Sequence, residues 1–214
     1  EYAALIAKEL HWSPEKILKL KYAAHLHDIG KVGIPDTILN KPTRLTPEEY
    51  AVTKEHTVIG SEILKNITLL KQSADVARHH HERYDGKGYP DGLKGTDISL
   101  YARIIAIADG YDVMNTNHSC RNSLPEASII REFRENSGTQ FDPELTEIFL
   151  MLLEEHRLDI NSDYLHPEND LGFTAIENDI NRFISNVMTT MKTHEDSETY
   201  DFLTGLPMRS RGEK

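Results

Sequence analysis

The sequence predicts an all-α fold, a helical bundle followed by a C-terminal linker helix. Three observations carry this: apolar residues recur at three- and four-residue steps, alternating strand-like stretches are few, and the helical stretches open on capping residues. Ser13-Pro14-Glu15 supplies an N-cap, a proline at the first helical position and an acid in the first turn. Ile17, Leu20, Ala24 and Leu26 then form an apolar stripe. Thr46-Pro47-Glu48-Glu49 has the pattern of a capping box, opening a helix to about Leu64 with Val52, Ile59, Ile63 and Leu64 inward. A further helix ends near His81. Residues 82–98 contain Gly86, Gly88, Gly92, Gly95 and Pro90 and read as a loop. Residues 100–114 read as a mostly buried helix, and Asp142-Pro143-Glu144 caps another that reaches about Glu155. Residues 161–170 are polar and read as a linker. Phe173, Ile176, Ile180, Phe183, Val187 and Met191 then recur with roughly heptad spacing. That seam suits either a helix packed on its own domain or a dimerising signalling helix. No internal repeat or low-complexity tract is seen.

Composition narrows the function classes. The 214 residues suffice for one full domain plus a remnant. With 38% apolar and 28% charged residues, the chain has the balance of a globular protein. No apolar run approaches the ~18 residues of a membrane span. Residues 1–10 lack a basic leader and do not read as a signal peptide. The single cysteine, Cys120, excludes an intramolecular disulfide and fits a cytoplasmic setting. A net charge of −11 argues against a general nucleic-acid binder. Acids outnumber bases 11 to 3 over residues 154–198, whereas residues 78–103 hold 5 bases and 4 acids. A small anionic ligand is better received by the second region.

Six of the 11 histidines fall between residues 25 and 81: His25, His27, His56, His79, His80 and His81. A lone buried histidine is usually structural, and a His-Asp pair alone means little. Imidazoles and carboxylates together, however, are the usual ligands of divalent zinc, iron or manganese. His27-Asp28 stands at the C-terminal end of an apolar helix. Adjacent helical side chains point about 100° apart, so one pair can serve two ions. His79, His80 and His81 offer the same arrangement on a second helix, and helical geometry leaves open which of them take part. His56 lies on a third. Asp109 follows Ile104-Ile105-Ala106-Ile107-Ala108, where a carboxylate is costly unless paired or bound to a cation. Lys31, one short turn after Asp28, is placed to reach a phosphate; alone it would read as a surface lysine.

Taken together, His27-Asp28-Ile29-Gly30-Lys31, Glu55-His56, His80-His81-Glu82, Asp85-Gly86-Lys87-Gly88-Tyr89-Pro90, Ile107-Ala108-Asp109 and Gly138-Thr139-Gln140-Phe141-Asp142-Pro143 resemble the HD-GYP domain over about residues 1–156. The resemblance implies an all-α HD-domain helical bundle holding two or three divalent transition metals, iron or manganese. It implies hydrolysis of cyclic di-GMP to the linear dinucleotide pGpG, which some members of the family carry on to GMP. By position, it implies His27, Asp28, His56, His80, His81 and Asp109 as metal ligands, with Asp28 bridging the ions. Lys31 would contact the scissile phosphate, and Gly88, Tyr89 and Pro90 would line the substrate. Arg121 fits a substrate-contacting position. His118 stands where the family commonly has a phosphate-contacting arginine, so substrate binding that weakens as pH rises is the expectation there. Further upstream ligands of the family would precede residue 1. A second, short resemblance, Asp201-Phe202-Leu203-Thr204-Gly205-Leu206-Pro207 with Arg209, is to the opening of GGDEF domains. The expected organisation is therefore a catalytic domain over 1–156, an acidic linker and signalling helix over 157–198 that forms a homodimer through 173–191, and the start of a GGDEF-like domain over 199–214. The alternatives weighed are a hydrolase of another cyclic dinucleotide or nucleotide, and a weakly active ligand-sensing module.

Overall fold

The computed structural model describes residues 1–116 and 123–158. The chain divides into two units, Glu1–Ser162 and Asp163–Lys214, and all described residues belong to the first. His118, Arg121, the 173–191 seam and the GGDEF-like segment lie outside the described residues.

The described part is all-α, as the sequence predicts. Its helices are α1 (Tyr2–Glu9), α2 (Pro14–Leu26), α3 (Asp36–Leu39), α4 (Pro47–Leu64), α5 (Lys71–His79), α6 (Leu100–Asn115), α7 (Glu126–Asn136) and α8 (Pro143–Glu154). Short 3₁₀ turns occupy Ile29–Gly33, Thr68–Leu70 and Gly95–Asp97. Among the described residues, β-pairing is limited to the isolated Ser137–Phe141 bridge, and no helix is long and apolar enough to cross a membrane.

Caps set the starts of α2, α4 and α8. Ser13 accepts the Lys16 N–H, and Asp142 accepts the Glu144 and Leu145 N–H groups. At α4 the box is complete: Thr46 accepts from Glu49 N at 3.2 Å and the Glu49 carboxylate accepts from Thr46 N at 2.7 Å. The core gathers Ile6, Leu20, Ala23, Val76, Ile104, Ile105 and Ile107 with Phe133, Phe141 and Phe149. Phe133 and Phe149 are fully buried, with ring centroids 4.5 Å apart.

One predicted inward residue is not inward. Val52 is exposed, and α4 buries His56, Thr57, Gly60 and Leu64 instead. The first two turns of α4 contribute no buried residue, and the buried stripe starts at the histidine. The 3₁₀ turn after α2 packs directly on this stripe. A β-carbon on Gly30 would fall 1.9 Å from the His56 carbonyl oxygen and 2.4 Å from the Gly60 nitrogen. Only glycine lets the turn touch the α4 backbone.

Candidate metal centre

The His27-Asp28 and His80-His81 pairs both sit where a helix ends. His27 is the C-cap residue of α2, and Asp28 has already left helical geometry with φ −100° and ψ 7°. α5 ends at His79, His80 caps it, and His81 lies in the turn beyond. A chain leaving the helix is released from the 100° rotation per residue, so consecutive side chains can face one point. His80 and His81 do so, with ring centroids 4.1 Å apart. His79 turns away, its Nδ1 2.9 Å from Asp75 Oδ1 and its Nε2 3.0 Å from Asp91 Oδ2.

Six predicted residues converge around Asp28. His27 Nε2 is 3.3 Å from Asp28 Oδ2 and 3.8 Å from Asp109 Oδ1. His56 Nε2 and His80 Nε2 lie 3.5 and 3.8 Å from Asp28 Oδ1. His81 joins them, its ring 5.2 Å from that of His56. Lys31 Nζ donates to Asp28 Oδ2 at 2.6 Å. Two donor groups result, His56–His80–His81 and His27–Asp28–His80, each with its ligand atoms within 4.8 Å of one another.

The backbone fixes the tautomers. The Nδ1 atoms of His27 and His56 face the carbonyls of Ala24 and Thr53 at 2.7 and 2.6 Å, and His80 Nδ1 faces those of Val76 and Ala77 at 3.1 and 3.0 Å. A carbonyl only accepts, so each Nδ1 carries the hydrogen, and each ring, when neutral, points an Nε2 lone pair inward. Burial lowers the pKa of His56 and His80 and holds these rings neutral. His56 and His80 therefore set two lone pairs 3.4 Å apart, beside a buried Asp28 Oδ1 with no hydrogen-bond partner. Converging lone pairs with no proton between them fit a divalent cation, and the donor set of imidazoles and carboxylates has the chemistry for one.

Electrostatics divide the site. Burial pulls His27 down, but Asp28 and Asp109 outweigh it and its pKa is raised. Burial likewise opposes charge on Asp28, yet His27 and Lys31 hold its carboxyl far below the usual range. Asp109 is raised, chiefly by burial. His81 is pushed down to about 4 by burial and by neighbouring His56.

Of the loop residues, Tyr89 lies against His81, with centroids 5.0 Å apart. Gly88 is closely packed within the loop, since a β-carbon there would fall 2.3 Å from Arg83 N and 2.5 Å from Glu82 Cα. Pro90 comes next, in a cis peptide with Tyr89. Local sequence carries no sign of how this loop is anchored. Buried Glu82 accepts from Asp91 N and Gly92 N at 2.7 and 3.0 Å, and Arg78 grips the Asp91 carboxylate with two bonds of 2.6 and 2.7 Å. Tyr50 and Lys54, also absent from the predicted set, stand beside Tyr89. Their i, i+4 spacing just before His56 is the signal that marks them.

A helical bundle whose helix ends bring a His-Asp pair and a His-His pair together has the donor chemistry to hold divalent cations. The HD domain family matches residues 1–145, and the chain belongs to it. It is similar to a cyclic di-GMP phosphodiesterase of Thermotoga maritima, at 45% identity over 152 residues, covering 70% of this chain and 41% of that protein. The cyclic di-GMP phosphodiesterase response regulator RpfG of Xanthomonas campestris is 39% identical over 150 residues, covering 69% of this chain and 40% of the relative. A 3′3′-cGAMP-specific phosphodiesterase 2 of Vibrio cholerae is 40% identical over 133 residues, covering 61% and 26%. The chain thus spans about two fifths or less of these relatives' lengths. Among solved structures, a cyclic GMP-AMP specific phosphodiesterase of V. cholerae superposes with a TM-score of 0.57 at 21% identity, over 73% of this chain and 42% of the other. An HDG"Y"P protein of Bdellovibrio bacteriovorus gives 0.56 at 22%, over 71% and 48%. At these identities the likeness is one of fold.

Proposed function

We propose that this chain is the catalytic part of a metal-dependent phosphodiesterase that hydrolyses cyclic di-GMP to pGpG and on to GMP. The observation that carries this is the convergence of the His27, His56 and His80 Nε2 atoms on Asp28, in a chain whose relatives are named for cyclic dinucleotide hydrolysis. His27, Asp28, His56, His80, His81 and Asp109 would hold two or three ions, iron or manganese, with Asp28, a member of one donor group that lies 3.5 Å from His56 of the other, as the shared carboxylate. When bound, such ions acidify a coordinated water and draw charge from phosphoryl oxygens. The protein's own groups do the rest. The backbone carbonyls behind His27, His56 and His80 fix each tautomer. Lys31, anchored on Asp28 and half-exposed, can reach a phosphoryl oxygen. The Tyr89 phenol is raised well above its usual range by burial and by Tyr50, so it serves as a hydrogen-bond donor and not as a base.

The domain limits proposed are 1–156 for catalysis, 157–198 for the linker and signalling helix and 199–214 for a GGDEF-like start. Dimerisation through 173–191, substrate contacts from His118 and Arg121, and a cytoplasmic setting belong to the same proposal. A second reading, hydrolysis of 3′3′-cGAMP, is favoured by the Vibrio relative of that name. The test is to incubate full-length protein, purified anaerobically, with manganese or iron and each cyclic dinucleotide, and to separate the products. Cleavage of cyclic di-GMP with the higher kcat/KM supports the first reading, faster cleavage of 3′3′-cGAMP the second. Cleavage of neither overturns both.

A further inference from the structure

Tyr50 and Lys54 stand one turn apart on α4 and share a face. Lys54 Nζ lies 5.3 Å from the Tyr50 ring centroid and 5.6 Å from that of Tyr89. The two rings meet edge to face at 6.4 Å, and Tyr89 in turn stacks beside His81. A line of contacts therefore runs from the candidate metal ligands out to an ammonium group. The other lysine at the site, Lys31, is bound to Asp28. Lys54 is half-buried and forms no ion pair with a carboxylate among the described residues. Two aromatic faces hold its charge in place through cation–π attraction, which lowers the ordering cost of binding an anion.

We propose that Tyr50, Lys54 and Tyr89 form a subsite for the second phosphodiester of a cyclic dinucleotide, the one not being cleaved. The proposal rests on the reading that the centre cleaves such a substrate. A cyclic dinucleotide carries two phosphates. The one beside Lys31 reacts; the other keeps its negative charge throughout and needs a counter-charge that does not compete for the reacting group. Because that phosphate is the same in ground and transition states, the contact strengthens both equally and acts on KM, not on kcat. A substrate with one phosphodiester cannot use the contact.

The experiment measures Lys54→Met, Lys54→Gln, Lys54→Arg and Tyr50→Ala in the full-length metal-loaded protein. The substrates are cyclic di-GMP and bis(p-nitrophenyl) phosphate, which has a single diester. Loss of one charge-assisted contact corresponds to roughly 10- to 100-fold. The expected result is a KM for cyclic di-GMP raised by about that factor in Lys54→Met and Lys54→Gln. The ratio of kcat/KM for cyclic di-GMP to that for the small diester falls in parallel, and Lys54→Arg recovers most of it. Tyr50→Ala gives a smaller change in the same direction. An unchanged ratio, or equal losses on both substrates, makes Lys54 a packing element and overturns the subsite. A wild-type protein that cleaves the small diester but no cyclic dinucleotide overturns the functional reading, and the subsite with it.

Discussion

Asp28 presents a different neighbourhood to each of its oxygens. Oδ2 meets His27 and the Lys31 ammonium, whereas Oδ1 meets His56 and His80. His80 belongs to both donor groups, and Asp28 is the carboxylate that lies against members of both, so substitution there should act on both. Asp28→Ala is expected to reduce bound metal from at least two ions per chain to fewer than one, as read by elemental analysis. Turnover of cyclic di-GMP should fall by ~100-fold or more, since even groups behind a ligand cost 10- to 100-fold in affinity. Full metal retention in this variant would remove Asp28 from the centre. At this scale the sequence is informative about residue type and less so about direction. It marks His27, Asp28, His56 and Asp109 as a chemically coherent set. Helical spacing cannot choose among His79, His80 and His81, because α5 ends within that run. His79 faces two carboxylates, Asp75 and Asp91, that lie 4 and 12 positions away in sequence, and nothing local announces the more distant one.

Elements meet at two junctions that can be tested separately. The first is the contact of the Ile29–Gly33 turn with α4. Gly30→Ala would drive a methyl into the α4 backbone at His56 and Gly60, and backbone cannot swing aside as a side chain can. The expected cost is about 3 kcal/mol or more, read as a lower denaturant midpoint, with metal lost as well because His27-Asp28 and His56 flank the contact. The second is the Asp91 anchor of the Tyr89 loop. Arg78 and His79 hold the Asp91 carboxyl down at about 2. A carboxyl depressed by folding contributes stability above its unfolded pKa of ~3.9, and that contribution is lost as pH falls toward the folded value. Wild type should therefore be more stable than Asp91→Asn at pH 6, with the gap narrowing as pH falls from about 4 toward 2. A gap that stays constant over that range would mean the anchor is not electrostatic. The element boundaries show what local sequence encodes. Ser13, Thr46 and Asp142 announce their helices because a cap is a contact within four residues. α7 has Pro125 before it and no side-chain cap, so nothing local marks its start. Val52 shows the complementary limit: apolar spacing marks one helix face, but not how far along α4 the bundle reaches.

At the scale of the whole molecule, the candidate centre and the core share their supports. α2 and α6 present the core residues Leu20, Ala23, Ile104, Ile105 and Ile107, and they also bring His27, Asp28 and Asp109 to the site. Next to Asp109, a β-carbon on Gly110 would meet Phe141 at 3.1 Å, and Phe141 stacks on Phe133 at 4.7 Å. An ion at the centre would therefore join α2, α4, α6 and the end of α5 into one cooperative unit, and its removal would leave opposed lone pairs across that junction. A ligand that binds only the folded state stabilises it by RT ln(1 + [L]/Kd), about 2.7 kcal/mol at 100 times Kd. For a chain of this length each kcal/mol moves Tm by roughly 2–4 °C, so saturation with manganese should raise Tm by about 5–10 °C over protein treated with a chelator. The shift should disappear in Asp28→Ala and persist in Lys54→Met, which perturbs the rim and leaves the donor set intact. A thermal melt with and without the ion checks all three proteins without recourse to substrate. An equal shift in Asp28→Ala would place the stabilising ion elsewhere on the molecule.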